Sequence, residues 1–274
     1  MRPMKHAHIL VTGGSSGIGY ALVNRLLKAG HQVTATTRKP DDQSPRPGLT
    51  WVGLDLESNA SVDAFLNNPC WDQPVDIVVN NAGFGLIAPI ESASDEAVRA
   101  QFEANYFATM RITRHAMAHF RQHGAGTIMA NTSIGGRMAF PYFGYYNATK
   151  HALEASYESL WYECMQSNIR VKIIEPGFTQ TQFATHGMRT SGADHPAHVD
   201  GLSWLEHSMK TGTTASNPDV VAAVMERALF DNRHTLRYAA GKHSDALLFL
   251  RKALPDSWFQ AIIGKAVLRG QKTT

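Results

Sequence analysis

The chain has 274 residues, enough for one large domain or two small ones, and 43% of them are hydrophobic, so a full core is available. A formal net charge of +3 at pH 7, carried by dispersed basic residues, leaves no electrostatic footprint for nucleic acid. Cys70 and Cys164 are the only cysteines, which argues against a disulfide framework and for a reducing, cytoplasmic setting.

The first residues show no signal-peptide apolar region, and no apolar run is long enough to span a bilayer. His8 to Val11 predicts a strand that runs into a glycine turn, and Ile18 to Ala29 has helical spacing with Gly30 as its stop. Val33 to Thr37 is strand-like, Asp41 to Gly48 is a surface loop, and Val52 to Leu54 predicts a third strand. A helix over Ser58 to Leu66, a strand over Val75 to Val79, a long helix over Ser94 to Arg121 and a strand over Thr127 to Ala130 follow. Tyr145 to Gln166 reads as another helix and Val171 to Ile174 as another buried strand. The alternation predicts an α/β fold, a doubly wound parallel sheet covered on both faces, within a single domain over 1–274. After Pro176 the rhythm changes. Residues 179–217 are rich in Gly, Thr, Ser and His and read as a mobile substrate lid with one or two short helices. Asp219 to Leu229 is helical, Leu236 to Ala239 a last strand, and about 240–274 a helical C-terminal extension.

Two motifs carry chemistry. In Thr12-Gly13-Gly14-Ser15-Ser16-Gly17-Ile18-Gly19, glycines stand between a strand and a helix. Without Cβ atoms, backbone N–H groups there can approach a phosphate closely, and the helix start adds free donors and a positive dipole end. In Tyr146-Asn147-Ala148-Thr149-Lys150, the tyrosine and lysine are four apart and share a helix face. A phenol titrates near pH 10 by itself. A cation about 4 Å away, at an effective dielectric near 20, supplies about 4 kcal/mol, or about three pKa units. The pair therefore predicts a proton-transfer site, with Tyr145 excluded because no lysine follows it at the fourth position.

With these residues the chain resembles the short-chain dehydrogenase/reductase family, whose glycine motif is Thr-Gly-x-x-x-Gly-x-Gly. Asn80-Asn81-Ala82-Gly83 resembles its Asn-Asn-Ala-Gly motif, and Asn105, Ser133, Tyr146 and Lys150 match its catalytic four in order. Pro176-Gly177 with Thr179 resembles its loop for the nicotinamide carboxamide. The matches run from about residue 8 to 181. The resemblance implies a Rossmann-type dinucleotide site built from Gly13, Ser15, Ser16, Gly17, Ile18, Gly19, Asp55, Leu56, Asn81, Ala82 and Gly83, with Asp55 on the adenine amino group. It also implies that Lys150 holds the nicotinamide ribose, that Ser133 orients the substrate oxygen, and that Asn105 binds a water linking Lys150 to solvent. Members of the family commonly pair through two long helices, so the chain is expected to be a homo-oligomer. The stretch from Tyr145 through Phe183 is similar to the branch with 17β-hydroxysteroid and retinol dehydrogenases.

The second strand ends in Thr36-Thr37-Arg38-Lys39, with no acid for a ribose 2′-hydroxyl and with an arginine able to grip a 2′-phosphate. NADP is the expected cofactor. The expected reaction is hydride transfer between NADP(H) and an alcohol or carbonyl. The aromatic and apolar residues Phe84, Met138, Phe140, Phe143, Phe178 and Phe183 predict an apolar small-molecule substrate, such as a steroid, retinoid, aromatic ketone or aldehyde. The alternative is a non-catalytic NADP-binding redox sensor. No metal site is expected: His115, His119 and His123 line one helix face but lack a Glu or Cys partner, and read as surface or subunit-contact residues. The basic, apolar C-terminal stretch can lie on a membrane surface or pack over the cleft or another subunit, with packing favoured.

Overall fold

The computed structural model describes residues 6–180, 187–211, 215–231 and 233–268. Its elements in chain order are β1 (His8–Val11), α1 (Gly17–Lys28), β2 (Gln32–Thr37), β3 (Leu49–Gly53), α2 (Asn59–Leu66), β4 (Ile77–Asn80), β5 (Gly85–Ile87), α3 (Asp95–Phe102), α4 (Thr109–His123), β6 (Gly126–Asn131), α5 (Gly144–Glu163), β7 (Ile169–Pro176), β8 (Met188–Thr190), α6 (Val199–Thr211), α7 (Pro218–Leu229), β9 (Arg237–Ala240), α8 (Ser244–Ala253) and α9 (Asp256–Leu268).

Seven strands form one parallel sheet in the order β3-β2-β1-β4-β6-β7-β9. The chain steps outward from β1 through β2 to β3, then returns to β4 on the other side of β1. That reversal opens a crevice at the carboxyl ends of β1 and β4, where doubly wound sheets hold their ligands. β1, β4 and β6 read as continuous apolar runs because both faces of the sheet are covered. Ile112, Phe120, Leu153 and Tyr157 of α4 and α5 pack on one face, and Leu22, Leu26, Val221 and Met225 of α1 and α7 on the other. The helix starts are written locally. Ser58 accepts from Ser61 N–H, Ser94 from Ala97 N–H and Asn217 from Asp219 N–H, each cap contributing about 1 kcal/mol. Gly30 (φ +84°) and Gly124 (φ +78°) end α1 and α4 in the left-handed region.

One expectation is corrected. The helix predicted over Ser94 to Arg121 is broken by a π-helical turn, Glu103–Ala108, between α3 and α4. The lid contains one helix among its described residues, α6, and a short strand, β8, that pairs in parallel with β5. Leu202 and Leu205 of α6 pack with Ile87 and Phe143, and Trp204 and Tyr146 join that cluster. The C-terminal helices close on the body: Phe259 is buried with Ile134 and Met138, with Leu247, Leu248, Leu254 and Ile263 around it. No helix of the described residues is long and apolar enough to cross a membrane.

Candidate active site

The glycine turn sits at the crevice. Gly13 has φ +68°, and a Cβ there would lie 3.0 Å from the Ala82 backbone. A Cβ on Gly19 would collide with the Gly13 carbonyl oxygen. Side chains are excluded, so a ligand can reach bare backbone. Ser15 and Ser16 are exposed at the turn and Ile18 is half-buried. At the start of α1, Ser16 makes no side-chain cap and no acid occupies the first turn, so the helix N–H donors and dipole are available to an anion. These features fit a pyrophosphate.

Thr12 ties the turn to the β4 end. Its Oγ1 accepts from Asn81 N–H at 2.9 Å and Ala82 N–H at 3.0 Å. The Asn81 amide donates to the Thr12 and Gly13 carbonyls at 3.0 and 3.2 Å. Gly83 approaches Asn105 so closely that a Cβ would lie 2.8 Å from Asn105 Oδ1. Asp55 is half-buried, and its carboxylate accepts from Glu57 N–H at 3.0 Å. The Leu56 side chain belongs to the core. Arg38 is exposed and makes no ion pair or hydrogen bond with the described residues, whereas Lys39 pairs with Asp42 at 3.8 Å. The positive charge of Arg38 reaches Glu57, but Glu57 is bonded to Arg189 of β8 at 2.7 Å.

Tyr146 and Lys150 do share one face of α5, with Lys150 Nζ 5.7 Å from the Tyr146 ring centre. Ser133 hydrogen-bonds Tyr146, and its Oγ accepts from Gly135 N–H at 3.0 Å. Burial pushes the Tyr146 phenol up to about 12, with the Ser133 bond acting against it. Burial likewise pulls Lys150 down to about 8, against the attraction of Glu154. The expectation that Lys150 lowers the phenol, with the oxidised nicotinamide adding positive charge, concerns the protein with its cofactor bound. The ammonium donates to the Asn131 carbonyl at 2.9 Å.

Asn105 occupies the π turn. Its side chain is bonded to the Phe84 N–H at 3.0 Å, the Phe84 carbonyl at 2.9 Å and Thr149 Oγ1 at 3.3 Å. At the β7 end, Gly177 N–H donates to the Ala240 carbonyl at 2.9 Å and Thr179 Oγ1 to the Gly177 carbonyl at 3.0 Å, which fixes the loop after Pro176. Of the six predicted pocket residues, Phe140 and Phe143 lie in the Tyr146 cluster. Met138 is buried beneath Phe259 instead, Phe84 lies in the core under the Arg189 guanidinium at 3.9 Å, and Phe178 is exposed with its ring 5.9 Å from Phe140. Phe183 lies outside the described residues. His119, expected at the surface, is buried and accepts from Val75 N–H at 3.0 Å, and His115 packs edge-on against Trp71. Burial raises both thiols, Cys70 to about 11, which disfavours the nucleophilic thiolate.

Asn131 was not singled out in the sequence. Its Nδ2 donates to Asn81 Oδ1 at 2.9 Å, and its backbone carbonyl holds Lys150. A continuous path thus joins the Gly13 carbonyl, Asn81, Asn131 and Lys150. Its place at the carboxyl end of a central parallel strand was the available signal.

The chain is similar to known proteins. The family model "short chain dehydrogenase" matches residues 7–190. The uncharacterized oxidoreductase YbbO of Escherichia coli K12 is 32% identical over 259 residues, 93% of each chain. A short-chain dehydrogenase structure from Streptomyces avermitilis superposes with TM-score 0.80 at 29% identity, over 97% of this chain and 98% of that one. A short-chain dehydrogenase from Burkholderia cenocepacia solved with NADP gives TM-score 0.77 at 22% identity over 95% and 98%, a likeness of fold. The glycine turn between β1 and α1, the Asn81 brace and the Tyr146–Lys150 face all fall inside the matched span, and the chain belongs to the short-chain dehydrogenase/reductase family.

Proposed function

We propose that this chain is an oxidoreductase that transfers a hydride between NADP(H) and the carbonyl or carbinol carbon of an apolar small molecule, with Tyr146 moving the accompanying proton. The observation that carries this reading is the hydrogen-bonded path from the Gly13 carbonyl through Asn81 and Asn131 to Lys150, which couples the anion cradle to the proton-transfer face. When bound, the nicotinamide supplies or accepts the hydride. Gly13, Gly17 and Gly19 with the N–H groups of Ser15, Ser16 and Ile18 would hold the pyrophosphate, Asp55, Leu56, Asn81, Ala82 and Gly83 the adenosine, and Pro176, Gly177 and Thr179 the carboxamide. Arg38, exposed and unpaired among the described residues, would grip the 2′-phosphate.

The chain's own residues define the proton step. Ser133 is bonded to Tyr146, so a substrate oxygen received by the Ser133 hydroxyl also meets the phenol. A phenol with a pKa of about 12 is fully protonated at neutrality, and therefore ready to give its proton to a carbonyl oxygen as hydride reaches carbon. Lys150, still mostly an ammonium at pH 7, stabilises the phenolate left behind. In this reading Tyr146 is the acid for carbonyl reduction and, as phenolate, the base for the reverse alcohol oxidation. Phe140, Phe143, Leu202 and Leu205 around Tyr146 support an apolar substrate.

The test follows NADPH absorbance with ketosteroids, retinal, aromatic ketones and long-chain aldehydes. Tyr146→Phe should lower turnover by about a hundredfold or more while NADPH binding stays within about threefold of the parent. A Y146F variant that keeps most of its turnover refutes the proton role. A parent that binds NADPH and reduces none of these carbonyls points to the redox-sensor alternative.

A further inference from the structure

We propose that Glu91, His195 and His198 form a binding site for a transition-metal dication of the zinc class, joining the loop after β5 to the segment that leads into α6. One ligand atom from each residue lies within 4.8 Å of the others. Zinc held by imidazole and carboxylate at about 2.0–2.2 Å places its tetrahedral ligands about 3.3 Å apart, so small side-chain rotations close the set. Glu91 Oε1 is already 2.7 Å from His198 Nε2, and the His195 and His198 ring centres are 5.2 Å apart.

The backbone that presents these groups is braced. His198 N–H donates to the His195 carbonyl at 2.9 Å, a turn that puts the two imidazoles on one side. Across from them, Ser92 Oγ donates to the Gly192 carbonyl at 3.1 Å and Ser94 N–H to Ser191 Oγ at 3.0 Å, which pins the Glu91 loop beside the lid. The Tyr142 ring packs edge-on against His198 at 5.8 Å and orients it.

A second observation points to a ligand. His195 Nδ1 is excluded from solvent and has no hydrogen-bond partner. Buried polar atoms are ordinarily paired, and an unpaired imidazole nitrogen is a ready metal donor. Glu91, whose Oε1 already meets His198 Nε2, supplies the anion. Two imidazoles and a carboxylate leave a fourth position for water and suit zinc, cobalt(II) or nickel(II) rather than calcium or magnesium. The ion would fasten α6, which carries Leu202 and Leu205 of the Tyr146 cluster, to the body of the fold.

The experiment is zinc titration of the chelator-stripped full chain by calorimetry, with cobalt(II) as a spectroscopic probe. The expected result is one zinc ion per chain and visible cobalt bands of a four-coordinate site. His195→Ala, His198→Ala and Glu91→Gln should each weaken zinc by about tenfold or more, and the H195A/H198A pair should abolish stoichiometric uptake. Circular dichroism checks that each variant folds. A His115→Ala/His123→Ala variant should bind zinc as the parent does. A parent that takes up no stoichiometric zinc, an H195A/H198A variant that binds it unchanged, or loss confined to H115A/H123A overturns the assignment.

Discussion

Glu175 offers a quantitative test of how this site is held. It stands at the end of β7, directly before Pro176-Gly177, and is 4% exposed. Burial first, then the charge of Glu154, pushes its carboxyl from 4.5 up to about 7, while Arg137 at 3.4 Å and Arg237 at 3.7 Å pull the other way. Because the folded value lies above the unfolded one, the native state keeps a proton between pH 4.5 and 7 that the unfolded chain has already released. Stability contributed by this group is therefore present below about pH 4.5 and lost as pH rises toward about 7. The gap from 4.5 to about 7, at about 1.4 kcal/mol per pH unit, amounts to about 3 kcal/mol. Glu175→Gln keeps the shape and removes the titration. Arg237 is not stranded, because Glu154 and Glu158 hold it at 2.9 and 2.8 Å. In urea unfolding the variant should exceed the parent by about 3 kcal/mol at pH 8 and by less than about 1 kcal/mol at pH 5. A variant weaker than the parent at pH 8 would mean that the two arginines outweigh burial, and would refute the reasoning.

Three further outcomes follow from named contacts. Arg38→Ala should weaken NADPH binding by about tenfold to a hundredfold, the worth of a charge-assisted phosphate contact, and leave NADH nearly unchanged by fluorescence titration. Equal losses for the two would remove the NADP argument. Phe259→Ala empties the contact with Ile134 and Met138 and should weaken docking of the C-terminal helices by roughly 3 kcal/mol. Limited trypsin digestion should then cut faster after Lys252 or Lys265, and an unchanged digestion pattern would show that the extension is held elsewhere. Asn131→Ala removes the amide bridge to Asn81 but keeps the backbone carbonyl that receives Lys150. NADPH affinity should fall by about fivefold to tenfold at little change in fold stability, and no change in affinity would show that the bridge does not shape the cradle.

What the sequence discloses and what it withholds divide along the range of the interactions involved. Val11, Val33, Val78 and Ile128 are apolar because their strands are covered on both faces, so composition and spacing alone place them. The glycine turn is partly local: Gly13 takes a left-handed φ and Gly19 meets the nearby Gly13 carbonyl, while Ala82 closes the space at Gly13 from across the sheet. The π turn at Glu103–Ala108 is not legible, since one extra residue per turn barely disturbs a helical apolar pattern. Nor is the pairing of β5 with β8, which joins Gly85 to Met188 through contacts that no spacing rule encodes. Lys172 shows the same limit from the other side. It sits in a strand that reads as buried, and is buried, because its ammonium meets the Arg233 and Thr235 carbonyls and the Tyr238 hydroxyl, all from beyond α7. The chemistry follows that division too. Tyr146 and Lys150 announce themselves as neighbours on a helix, but the acidity of the phenol depends on what surrounds them. Burial raises the phenol against the Ser133 hydrogen bond, and neither effect can be read from the spacing of Tyr146 and Lys150.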